Sequence, residues 1–216
     1  MSGGGFGLVV GLSGKARHGK GSVVQLAQIL LQSGDDEREV RQVSFATALK
    51  AMARELVTRG NYFDIGLPRG VADELWRLGR SLTVEDIRTK TPGGRKFLQF
   101  LGTEAMRKNV DDLFWVKRAA EKIRSLPKET LISFVPDVRF PNEADFIVKE
   151  MGGQIWRIER LNEDGTPFDN GMTPENKVHV SETALDEYKA DVTLRAKNMA
   201  DLFDGVKAQL KLLGLG

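Results

Sequence analysis

Cysteine is absent from the 216 residues of this chain, which excludes disulfides, thiolate metal sites and cysteine nucleophiles. Histidine is nearly as scarce. With only His18 and His179, a histidine-based zinc centre is not expected. An excess of one charge is lacking too: 32 Lys and Arg stand against 30 Asp and Glu, a formal net charge of +2. That balance gives no footing for nucleic-acid or membrane binding, though it leaves room for a local basic cleft suited to phosphates. Long apolar runs are missing as well. Leu8-Val9-Val10, behind the polar lead Met1 to Gly5, is far too short for a signal-sequence core or a membrane span. A cytoplasmic location is expected. No internal repeat or low-complexity tract is visible.

What is present suits one soluble domain over 1–216, because 41% hydrophobic residues in a chain of this length can bury a sizeable core. The run Phe6 to Leu12, ended by Ser13-Gly14, reads as a buried parallel strand. Beyond it Val23, Val24, Leu26, Ala27, Leu30 and Leu31 recur at helical spacing up to Ser33-Gly34. Val40 to Phe45 is a second strand and Ala46 to Thr58 a second helix. Strand and helix in alternation predict a parallel sheet of about five strands flanked by helices. Between Arg59 and Pro92 the rhythm breaks into an insert with a short helical segment around Ala72 to Leu82, and helices Gly94 to Lys108 and Asp112 to Ser125 follow. The rest reads as strand Thr130 to Val135, helix Asn142 to Met151, strand Gln154 to Ile158, a short helix from Ser181, strand Asp191 to Leu194 and helix Met199 to Leu213. A polar stretch, Glu159 to Lys177, is long enough to be functional or mobile.

The most informative segment is Gly14-Lys-Ala-Arg17-His-Gly19-Lys20-Gly21-Ser22, set between a strand and a helix. Glycines let the backbone close on an anion, successive N–H groups point inward, and the helix dipole adds positive potential. Lys20 is placed to reach the β- and γ-phosphates of a nucleotide, and Ser22 to support phosphate or Mg²⁺. The commoner pattern has Ser or Thr directly after the lysine; here Gly21 intervenes. A bare glycine turn without ligand is the plainer alternative. A dinucleotide fingerprint does not fit, because Gly-x-Gly-x-x-Gly is absent from this turn.

The second constellation, Asp137-Val-Arg139-Phe-Pro-Asn142-Glu143, begins where the strand Thr130 to Val135 ends. Ligands of open parallel sheets bind at the carboxyl ends of strands. There Asp137 can hold Mg²⁺ through water and Arg139 can clamp phosphoryl oxygens with its planar fork. The alternative makes Asp137 a helix cap and Arg139–Glu143 a helical ion pair. Trp76 and Trp156 are read as core, and His18 as exposed beside the phosphates without a catalytic part.

Gly14 to Ser22, Phe45-Ala-Thr-Ala-Leu49-Lys50, Arg95 to Glu104 with Leu-Gly102-Thr103-Glu, Phe114-Trp115-Val116, Asp137 to Ala144, Arg157-Ile-Glu-Arg160 and His179-Val-Ser-Glu182-Thr occur in this order. In these motifs the chain resembles the bacteriophage-type deoxynucleoside monophosphate kinases over most of its length. The resemblance implies an adenylate-kinase-like P-loop fold, with an acceptor-binding insert over 59–110 and a lid-like loop over 159–177. It implies transfer of phosphate from ATP to a deoxynucleoside monophosphate, with Mg²⁺. Carried over by position, Gly14, Arg17, Gly19, Lys20, Gly21 and Ser22 would bind ATP phosphates. Leu49, Lys50, Arg95, Gly102, Thr103, Trp115, Asp137, Arg139 and Glu143 would line the monophosphate site. Lys20, Arg139 and Asp137 would act on the transferred group, Ser22 and Asp137 would serve the metal, and Arg157 and Arg160 would root the lid. The chain departs from the family at Thr47, where an aspartate is common. Small nucleotides are the implied partners, with a homodimer as a possible assembly and the host cytoplasm as the setting for a phage-encoded copy. The rival readings are a P-loop kinase of another small phosphorylated acceptor, phosphomevalonate-like, and an ATP-binding module without transfer.

Overall fold

Val9, Val10 and Leu12 are fully buried in a six-residue strand, β1 (Leu8–Ser13), with neighbours on both edges. The computed structural model describes residues 7–32, 39–126, 130–169, 171 and 180–215. They fall into two compact units, one comprising Met1–Val43 with Lys122–Gly216 and the other Ser44–Glu121.

The first unit is α/β. Its further strands are β2 (Glu39–Gln42), β3 (Thr130–Val135), β4 (Gln154–Arg160) and β5 (Val192–Ala196). They lie in the order β2-β3-β1-β4-β5, every pair parallel. The central strand is held from both sides, with Val10 opposite Phe134 of β3 and Gly11 opposite Ile155 of β4. Alternation along β1 sorts its side chains by face. Val10 and Leu12 join a core with Val23, Val24 and Ala27 of α1 (Lys20–Gln32) and with Leu202, Val206 and Leu210 of a C-terminal helix, Met199–Leu212. On the other face Gly11 lets α7 (Pro141–Lys149) approach: a Cβ there would lie 2.9 Å from the Ile147 side chain. Gly153 does the same beside Val9, since its Cβ would meet the Val9 carbonyl at 2.5 Å.

The second unit is helical: α2 (Phe45–Arg59), α3 (Arg69–Gly79), α4 (Val84–Thr89), α5 (Pro92–Gln99), a π-helical stretch Phe100–Arg107, and α6 (Phe114–Arg124), inside which the unit boundary falls. Leu56, Leu75, Ile87, Phe97 and Leu101 are among its sealed apolar residues. Gly60, at φ 69°, ends α2 in the left-handed conformation and donates to the Leu56 carbonyl. Gly94 passes so close to α4 that a Cβ would sit 2.2 Å from the Asp86 carbonyl.

Several boundaries differ from the sequence reading. The insert expected from Arg59 holds two helices, α3 and α4, and the compact unit is wider than 59–110. The helix α4 starts on a capping box, Thr83 with Asp86, a signal present in the sequence. Trp76 is not core: it is 41% exposed, with the Arg80 guanidinium 4.9 Å over its ring. The strand β4 runs two residues past Ile158, because Glu159 and Arg160 pair with Arg195 and Ala196 of β5. The polar stretch then opens as a tight turn. Leu161 bridges Pro167, the Asn162 N–H donates to the Thr166 carbonyl at 2.8 Å, and the Asp164 carboxylate accepts the Thr166 N–H at 2.9 Å. Residues 170 and 172–177 of the expected lid lie outside the described residues, as does His179. The short helix α8 (Val180–Thr183) precedes β5, and α9 (Met199–Leu212) closes the unit on an Asn198 cap. Among the described residues no helix is long and apolar enough to cross a membrane.

Candidate functional site

Connections leave the carboxyl ends of neighbouring strands β1 and β3 toward opposite faces of the sheet, α1 on one and α7 on the other. Such a reversal opens a crevice between the two strand ends. The glycine-rich loop fills one lip of it. Gly14, at φ 134°, and Gly19, at φ 96°, use backbone angles suited to glycine. Arg17 takes the left-handed conformation at the loop tip, φ 64°. Helix α1 begins at Lys20, and its first helical bond is the Val23 N–H to the Gly19 carbonyl, 3.1 Å. The N–H groups of Lys20, Gly21 and Ser22 therefore precede the helical ladder, at the positive end of the dipole.

Lys20 folds back across the loop. Its ammonium donates to the carbonyls of Gly14 at 2.6 Å and Lys15 at 2.8 Å. Burial is the main reason its pKa is lowered to about 8, and the Arg139 guanidinium adds to it, while Glu182 and Asp137 pull the other way. These charges place the second constellation within electrostatic reach of the lysine. The loop lysine and the β3–α7 turn, 117 residues apart in sequence between Lys20 and Asp137, are thus brought near each other.

The β3–α7 turn is held by Glu143. This residue is 2% exposed, and its carboxylate accepts the N–H groups of Arg139 at 2.6 Å and Phe140 at 3.0 Å. It closes the first turn of α7 and fixes the backbone from which Arg139 projects. The Arg139 side chain forms an ion pair with Glu182, a partner 43 residues away.

Three residues that the sequence reading left without a role complete the constellation. The Glu182 carboxylate accepts the Ala16 N–H at 3.1 Å as well as Arg139, and its main-chain carbonyl accepts Lys15 Nζ at 2.5 Å. Asp186 pairs with Lys15. Glu182 already stood in one of the quoted motifs, but nothing in its spacing says that it returns to the loop. Together these elements line a cleft of about 580 Å³, whose walls include Lys15, His18, Arg139, Arg160, Phe168 and Glu182. That size suits a small-molecule ligand.

His18 is half-buried rather than exposed. Burial depresses its pKa, helped by Lys20 and Lys15 and opposed by a bond to the Ile158 backbone and by Glu159. Its Nδ1 accepts the Arg160 N–H at 3.3 Å. Arg157 grips the carbonyls of Leu185 at 2.6 Å and Tyr188 at 2.5 Å, securing the chain after α8. Arg160 lies over the Phe168 ring, 4.0 Å from its centroid.

The remaining candidates belong to the helical unit. Leu49 packs on Gly102, where a Cβ would lie 3.2 Å from the Leu49 side chain. The indole N–H of Trp115, 3% exposed, donates to the Gly102 carbonyl at 2.9 Å. Gly102 and Thr103 lie in the π-helical stretch, a distortion that recurs at functional sites. Lys50 is partly buried on α2, and Arg95 is exposed on α5.

Among the described residues no group of three or more acidic or histidine side chains gathers as a metal cage. A magnesium ion carried by a nucleotide needs only one or two protein oxygens beside phosphate and water. Asp137 is close enough to act on Lys20, and Ser22 lies in the first turn of α1. No protein-family model matches the chain, and no curated protein matches it either.

Proposed function

We propose that the chain is a P-loop phosphotransferase that moves the γ-phosphoryl group of ATP to a deoxynucleoside monophosphate. The observation that carries this reading is the assembly of a lysine-bearing glycine loop and an Asp137–Arg139 turn at adjacent strand ends of one parallel sheet. The fold is read accordingly as an adenylate-kinase-like P-loop domain, with the helical unit as the acceptor-binding insert.

Phosphoryl transfer asks for positioning and charge neutralisation more than for a strong base. The N–H groups at the start of α1 hold phosphate oxygens. Lys20 exchanges its loop carbonyls for the β- and γ-phosphates, and the positive charge on the nearby Arg139 meets the charge spread over the transferred group. An oxygen of the acceptor phosphate bonds to the γ-phosphorus as the bond to the departing ADP oxygen breaks. Ser22 and Asp137 are the residues that would hold Mg²⁺, which supplies further neutralisation on the phosphates when bound. Acceptor recognition is assigned to Leu49, Lys50, Arg95, Gly102, Thr103 and Trp115, and Glu143 serves it by fixing the backbone of Arg139. Arg157 and Arg160 stand at the root of a stretch over 159–177 proposed to exclude water.

A coupled assay for ADP over the four deoxynucleoside monophosphates, with ribonucleotide controls, tests the proposal. ADP that appears only with a monophosphate supports it. ATP binding without transfer would favour a binding module, and transfer to a different phosphorylated acceptor would favour another kinase of this fold.

A further inference from the structure

The Glu182 carboxylate is bonded to both lips of the crevice. One oxygen takes the Ala16 N–H at 3.1 Å, the other takes the Arg139 guanidinium, and the side chain is only 7% exposed. Its own position is fixed independently. Lys15 Nζ donates to its carbonyl at 2.5 Å and also pairs with Asp186, while Arg157 secures Leu185 and Tyr188 just beyond. Burial resists ionisation of Glu182, yet Arg139, the Ala16 N–H and Lys20 outweigh it and carry the pKa below the usual range. The group is a carboxylate at neutral pH.

We propose that Glu182 is a positioning residue that aims Arg139 at the phosphoryl group held by Lys20. The inference rests on the phosphotransferase reading. An arginine on a turn has many rotamers, and a pre-anchored carboxylate selects one before substrate arrives, removing an ordering cost from the transition state. It also eases a local conflict. Burial is the larger cause of the lowered Lys20 pKa, Arg139 adds repulsion, and Glu182, with Asp137, is negative charge that opposes both. A side chain that only supported the fold would have no reason to be coupled to Arg139 in turnover.

The test is a double-mutant cycle on the full chain with E182Q, R139A and the double variant, read as kcat and KM with ATP and deoxynucleoside monophosphate. E182Q is expected to lower kcat by about tenfold to a hundredfold, with KM for ATP near the wild-type value. The double variant should be no slower than R139A alone. E182D keeps the charge but is too short to span both groups; it carries the same expectation and serves if E182Q does not fold. Additive losses, or wild-type kcat in E182Q, would overturn the inference. So would tighter ATP binding at unchanged kcat, which would make the carboxylate a competitor of phosphate instead. Failure of the underlying reading shows separately, in a wild type that transfers to no monophosphate, and removes the inference with it.

Discussion

The main-chain oxygen of Ile158 lies 2.4 Å from the point where a Cβ on Gly14 would be. The end of β1 and β4 touch through this glycine, and the glycine-rich loop starts from that contact. Gly14 also sits at φ 134°, so an alanine there meets both backbone strain, roughly 1–3 kcal/mol, and a carbonyl that cannot move without disturbing β4. Gly21, by contrast, has nothing within 4 Å of its missing Cβ. Thermal unfolding should therefore show Gly14→Ala clearly destabilised and Gly21→Ala close to wild type. Equal stability of the two variants would mean that the loop does not rest on Ile158.

Lys20→Ala should leave the fold intact and lower transfer by about a hundredfold or more, the usual consequence of removing one preorganised charge from a transition state. The ammonium it removes is bonded only to the carbonyls of Gly14 and Lys15 among the contacts described above. Circular dichroism beside steady-state kinetics checks both halves. A folded variant with near-full activity would take the phosphate site away from Gly14 to Ser22.

Lys20 also sets a pH dependence. Its pKa is lowered from 10.5 to about 8, and the protonated form is the one that attracts phosphate. ATP affinity and kcat/KM should fall as pH rises through about 8. Bound phosphates raise the pKa, so binding near that pH should take up a proton, visible by calorimetry in buffers of different ionisation enthalpy. Stability runs the other way. Between about 8 and 10.5 the unfolded lysine holds more proton than the folded one, so this group adds stability as pH rises across that window. A kcat/KM profile flat through pH 8 would contradict the assignment.

Arg95→Ala should weaken use of the monophosphate far more than binding of ATP, because the exposed arginine on α5 is assigned to acceptor phosphate. Direct ATP titration beside monophosphate kinetics separates the two effects. Comparable losses on both would mean that Arg95 acts elsewhere. In the same unit Trp115→Phe should cost about 1–3 kcal/mol, since the Gly102 carbonyl loses its indole donor.

Much of this arrangement was legible beforehand. Strand β3 and helix α1 carry strong local signals, an apolar β-branched run and a 3.6-residue repeat, and both lie close to where those signals put them. The loop was legible because its glycines and lysine have one spacing and one context. What sequence could not supply was long-range pairing. Arg139 has Glu143 at helical distance, yet it also pairs with Glu182, 43 residues on, while Glu143 accepts the backbone N–H groups of Arg139 and Phe140. Arg157 and Arg160 look alike in sequence, but strand register sends one to the carbonyls after α8 and the other to the Phe168 ring. Past Ile158, Glu159 and Arg160 still pair with β5, which their charge does not announce, while Asn162, Asp164 and Gly165 beyond them form the tight turn their composition signals.

The most direct measurement is ADP release by the purified chain with ATP, Mg²⁺ and each deoxynucleoside monophosphate in turn, run beside Lys20→Ala. Monophosphate-dependent ADP formation is expected in the wild type, and its loss in the variant. Wild-type protein that binds ATP but forms no ADP with any of the four monophosphates would contradict it.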